Sequence, residues 1–92
     1  MKKKVFAQVF IKQDAVATFK TVVPDLIKKT REEKGCLVYN LFEQSEKPGL
    51  FVFVEEYQDQ EALDIHFNSP YLAEFGKKME GLQTKEMIVD II

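Results

Sequence analysis

Three stretches of this chain, VFAQVFI, LFVFV and MIVDII, are apolar at nearly every position rather than at every second one. A strand sends successive side chains to opposite faces, so each of these runs needs cover on both sides. Between them lie segments of helical period. Val16, Phe19, Val22, Val23, Leu26 and Ile27 form one apolar stripe, with Asp14 placed to cap the helix and Gly35 to end it. Pro24 falls inside that stripe and is expected to kink it. Lys28 to Lys34 read as a solvated, mixed-charge last turn.

CLVYNLFEQ reads as a second strand and LFVFVEEY as a third, joined by the turn Glu46-Lys47-Pro48-Gly49. Asp59 caps a short helix with Leu63, His66 and Phe67 on one side. Asn68-Ser69-Pro70 restarts the helix, and Leu72, Phe75, Met79 and Leu82 continue its buried stripe. EMIVDII closes the chain as a strand. Strand, helix, strand, strand, helix, strand is the order of an α+β, ferredoxin-like split βαβ fold with an antiparallel sheet. Helices cover one face of such a sheet, and the apolar second face calls for another copy of the chain. The pattern therefore predicts a homodimer through the open sheet face.

Ninety-two residues, 46% hydrophobic and 30% charged, fit a single domain over 1–92. A net charge of −2 provides no basic face, so nucleic acid is not an expected partner. Lys2, Lys3 and Lys4 precede an apolar stretch broken by Gln8 and Lys12, and no run approaches the roughly 20 residues of a membrane span. The lone Cys36 has no partner for a disulfide, which fits a reducing, cytoplasmic setting.

Chemistry concentrates after the third strand. Phe51, Phe53, Glu55 and Tyr57 share one face of it. If that face looks at the helices, Glu55, Tyr57 and His66 converge at the strand's end, on the rim of an apolar cavity. An imidazole suits proton transfer near neutrality, and an adjacent carboxylate can fix its tautomer. The competing reading is a packed histidine, with Glu55 and Glu56 as solvated strand-end charges and Tyr39, Tyr57 and Tyr71 as core anchors. One histidine and one cysteine leave no metal-ligand set beyond carboxylates, and there is no glycine-rich phosphate loop and no GxSxG.

The segment Arg31-Glu32-Glu33-Lys34-Gly35-Cys36-Leu37-Val38-Tyr39 resembles the R-x-E-x-G-C-x-x-Y stretch of the antibiotic biosynthesis monooxygenase domain family. Glu55 to His66 resembles its E-x-W/Y-x-D-x-x-A-L-x-x-H stretch, and Ser69-Pro70-Tyr71 followed by Phe75 resembles its helix restart. The resemblance implies a dimeric α/β barrel with a pocket between sheet and helices. It also implies oxidation of quinols or anthrones by dioxygen with no metal, flavin or other cofactor. Carried over by position, His66 is the base or hydrogen-bond partner and Glu55 its support, and Tyr57 and Phe67 are walls of the cavity whose apolar side Phe51 and Phe53 supply. Tyr39, Asn40 and Tyr71 complete the candidate substrate contacts.

Two departures bear on the reading. Tyr57 stands where members often have tryptophan, which shrinks the stacking surface. Haem-degrading relatives carry a ligating histidine where this chain has Gly76, which argues against haem breakdown. Val54-Glu55-Glu56-Tyr57-Gln58-Asp59 with His66 also resembles a bacterial isomerase of a phosphorylated signalling sugar. An isomerase of a small carbonyl compound and a non-catalytic binding dimer are therefore the alternatives to a monooxygenase.

Overall fold

In the computed structural model, which describes residues 1–92, the elements are β1 (Lys3–Phe10), α1 (Val16–Arg31), β2 (Cys36–Glu43), β3 (Leu50–Tyr57), α2 (Gln60–Phe67), α3 (Pro70–Lys78) and β4 (Ile88–Ile91). The strands form one sheet in the order β2-β3-β1-β4, and every neighbouring pair is antiparallel. This is the ferredoxin-like arrangement. The sheet is open. The barrel implied by the family resemblance is not closed within one chain, because β2 and β4 end the sheet at opposite edges.

β3 decides which way the sheet faces. Phe51, Phe53, Glu55 and Tyr57 are buried, while Leu50, Val52, Val54 and Glu56 between them are half-covered. Val9, Ala7 and Val5 of β1 lie opposite Phe51, Phe53 and Glu55, so they line the same inner face. Phe19, Val23 and Leu26 of α1 and Phe75 of α3, with Met79 just after it, pack onto this layer. The Phe19 and Phe51 rings lie 4.7 Å apart. The other face keeps Phe6, Phe42 and Ile88 exposed beside half-buried Val52 and Val54. The two-sided apolar runs are thus real, and only one side is covered by helices.

Several local expectations change. Asp14 belongs to a 3-10 turn over Gln13–Ala15 and does not cap α1, whose first residue follows Ala15. Pro24 lies inside α1, as expected, but on its exposed surface and not in the buried stripe. Gly35 is not the helix cap either: α1 ends at Arg31, and Glu32 closes it in a right-handed conformation. A Cβ at Gly35 would collide with the Cβ of Ala62 in α2, so glycine is needed for close approach. The Gly35 carbonyl also accepts from the Gln58 N–H at 2.9 Å. In the hairpin, Gly49 takes φ 92°, and a side chain there would strike the Ile11 carbonyl. Asp59 caps α2 as expected, its carboxylate accepting from the Ala62 N–H at 2.9 Å.

The glycine contact holds α2 against the turn that precedes β2. Gly35→Ala is expected to destabilise the protein by about 1–3 kcal/mol, the usual cost of overpacking. Urea unfolding monitored by circular dichroism measures it. An unchanged midpoint would mean that the α2 contact relaxes freely.

Candidate active site

His66 sits in the last turn of α2 and is 1% exposed. Its ring is packed among Tyr57, Tyr39 and Phe67, with centroid separations of 5.2, 5.5 and 5.6 Å. The helix end is secured by the Ser69 hydroxyl, which donates to the His66 carbonyl at 2.7 Å. A buried imidazole needs partners for its nitrogens. Nδ1 lies 3.0 Å from Glu33 Oε2. Nε2 lies 3.8 Å from Glu55 Oε1, outside hydrogen-bond range, and that oxygen accepts from the Tyr57 hydroxyl at 2.7 Å. With the ring proton on Nδ1, directed at Glu33, the Nε2 lone pair is free.

His66 borders a small cavity of about 70 Å³ between the sheet and the helices. Val5, Ala7, Phe53 and Glu55 form its floor, Tyr39, His66, Leu26, Leu72 and Phe75 its walls, and Phe67, Met87 and Val89 its mouth. At about 30 Å³ per water, it holds roughly two waters as it stands. An aromatic ring needs more room. That room lies at the mouth, where Phe67 and Val89 are 42% and 44% exposed.

The electrostatics are set by burial. Glu55 is 4% exposed, and desolvation pushes its carboxyl up to about 7 from an ordinary 4.5. The Tyr57 hydrogen bond pulls the value down, and the neighbouring charge of Glu33 pushes it up. Tyr57 and Tyr39 are driven far above the usual phenol range, first by burial and then by Glu55 or its neighbours. Burial also raises the Cys36 thiol to about 11, so this cysteine is no nucleophile.

Of the residues singled out from sequence, His66, Glu55, Phe53, Tyr39 and Phe67 meet at the cavity. Tyr57 stands behind them, holding Glu55 and stacking on His66. Phe51 is in the core against Phe19, away from the cavity. Asn40 faces the opposite side of β2 from Tyr39 and accepts from the Arg31 guanidinium at 3.0 Å. Tyr71 does not line the cavity but donates its hydroxyl to Glu33. Glu33 is the residue that sequence reasoning missed. It falls in a run read as solvated, yet its side chain is only 7% exposed. Its position in the R-x-E-x-G-C motif was the available signal.

The family model for antibiotic biosynthesis monooxygenases matches residues 4–78. This chain belongs to that family. A crystal structure of an antibiotic biosynthesis monooxygenase superimposes with a TM-score of 0.92 at 37% identity, covering 98% of this chain and 95% of the other. Rv0793 of Mycobacterium tuberculosis, which carries a provisional monooxygenase name, is 30% identical over 88 residues. Those residues are 96% of this chain and 86% of the relative. The Rv0793 structure gives a TM-score of 0.92 at 28% identity, covering 100% of this chain and 93% of that one. An uncharacterised Synechocystis protein, sll1783, is 32% identical over 81 residues, 88% of this chain. The match spans only 55% of the Synechocystis protein. Family membership supports a monooxygenase-like role, and no helix is long and apolar enough to cross a membrane.

Glu55 carries a pH signature. Its folded-state value lies above the unfolded one, so between about 4.5 and 7 the folded form keeps a proton that the unfolded chain releases. Stability is therefore expected to fall as pH rises through that window. Glu55→Gln should flatten the fall and melt above the parent protein at about pH 8. Parallel melting profiles for the two proteins would reject the assignment.

Proposed function

We propose that the protein is a monooxygenase in which His66 Nε2 removes the hydroxyl proton of a small, electron-rich aromatic substrate such as a quinol. The observation that carries this reading is the imidazole itself: Nδ1 is held by Glu33, Nε2 lies 3.8 Å from Glu55 without a hydrogen bond, and His66 and Glu55 both line an apolar cavity. A phenolate in a dry site is a strong electron donor, and dioxygen can take an electron from it directly. The chain's part is to orient the ring against Phe53, Phe75 and Tyr39, take the proton and keep water out. The positive charge His66 gains is met by Glu33. Glu55, near 7, is an acid as readily as a base and can return a proton to reduced oxygen.

The lining disfavours the phosphorylated-sugar alternative. No lysine or arginine borders the cavity, and an anionic phosphate would meet the Glu55 carboxyl with no cation to pair with. An isomerase of a neutral carbonyl compound remains the second reading, since His66 and Glu55 also suit enolisation. Anaerobic turnover separates the two.

Oxygen uptake with hydroquinone is expected to survive chelation and dialysis and to fall about 10²–10⁴-fold in His66→Ala, the range of a lost general base. Uptake indifferent to His66, or turnover undiminished without oxygen, would overturn the reading.

We also propose that two copies pair through the open sheet face. Phe6, Phe42 and Ile88, at 37%, 55% and 42% exposure, support this, because an apolar patch of that kind is unusual on a monomer. Sedimentation should give twice the chain mass of 10.7 kDa, and Phe42→Asp should shift the species to the single chain. A monomeric parent protein would remove the pairing and leave the active-site reading intact.

A further inference from the structure

A proton delivered to His66 Nε2 arrives beside a largely apolar space. The cavity is walled by apolar side chains, and its other acceptor, Glu55, is occupied on one oxygen by Tyr57. Behind the ring, the arrangement is different. Glu33 Oε2 meets His66 Nδ1 at 3.0 Å and also receives the Tyr71 hydroxyl. The second oxygen, Oε1, is buried with no hydrogen-bond partner. Tyr71 is half-buried and lines a groove between α1 and α3 with Asp25, Glu74 and Lys78, none of which lines the cavity.

We propose that Glu33 and Tyr71 form a proton outlet from His66 to the α1–α3 surface, so that substrate and proton use different doors. The relay rests on the reading of His66 as the base. When the substrate O–H bond breaks, an Nε2–H bond forms. The Nδ1–H bond then breaks, and the proton moves to Glu33 Oε2. Glu33 passes it to the Tyr71 oxygen as the Tyr71 hydroxyl proton passes to water. The sum is one proton lost by the substrate and one gained by solvent, with no change of oxidation state. Run backward, the path reloads Nδ1 when Nε2 gives its proton to reduced oxygen. Burial, aided by the bond to Glu33, pushes the Tyr71 phenol up to about 12, which keeps it a neutral hydroxyl able to hand protons on. Glu33 and Tyr71 touch no substrate and act only through His66.

The chain's single histidine makes the test direct, because one imidazole signal reports the site. The probe is the Nδ1–H of His66 in nitrogen-15-labelled protein, and the quantity read is its exchange rate with water. Tyr71→Phe, which keeps the ring and removes the hydroxyl, is expected to slow exchange by about 10²-fold, the lower range for loss of a positioned transfer group. Glu33→Gln, which keeps an acceptor for Nδ1–H and cannot pass the proton on, is expected to do the same and carries the test if the first variant fails to fold. An unchanged rate means the proton leaves through the cavity mouth and overturns the relay. A faster rate means it leaves by opening of the site and overturns it equally. Slowed exchange in a protein that takes up no oxygen with hydroquinone leaves the relay standing and removes the quinol reading. Unchanged exchange with His66-dependent uptake does the reverse.

Discussion

Side chains of β3 alternate between faces, and because Phe51 and Phe53 are drawn into the core, Glu55 and Tyr57 are carried to the same side. That geometry forces a carboxylate under the helices, where an isolated charge is costly. The fold answers locally. Tyr57 donates to Glu55, the carboxyl keeps its proton up to about 7, and His66 arrives from α2 with Glu33 behind it. Each member of this cluster is tolerable in the interior only because of the others. Loss of one leaves a buried polar group without its partner, so the site is also a structural joint between β3, α2 and the turn before β2.

Much of this was legible from residue pattern. Strand alternation groups Phe51, Phe53, Glu55 and Tyr57 on one face, and Asp59 announces the start of α2 three residues before the amide it receives. His66 is placed by its spacing from Leu63, which shares its buried side. Other features were hidden for definite reasons. β2 carries an irregularity between Cys36 and Val38, and one extra residue reverses which side chains point inward. Alternation counted from Cys36 would put Asn40 inside, whereas Tyr39 is the residue that enters. Glu33 was disguised by its neighbours, since Arg31, Glu32 and Lys34 really are exposed. Its burial comes from Tyr71, 38 positions later, closing over it. No local pattern encodes that meeting.

Family membership and cavity chemistry constrain the function from different directions. The fold and motifs place the chain among the antibiotic biosynthesis monooxygenases, and the lining sets which molecules fit. The lining offers aromatic surface, a free ring nitrogen and acidic oxygen atoms, and no cationic side chain.

β4 is held by its ladder to β1, and all four of its residues are exposed, yet Val89 forms part of the cavity mouth. A short edge strand with so little burial is the segment that frays first, well before the rest of the sheet loosens. Peeling of Val89 away from its ladder would widen the entrance and leave the floor of β1 and β3 undisturbed.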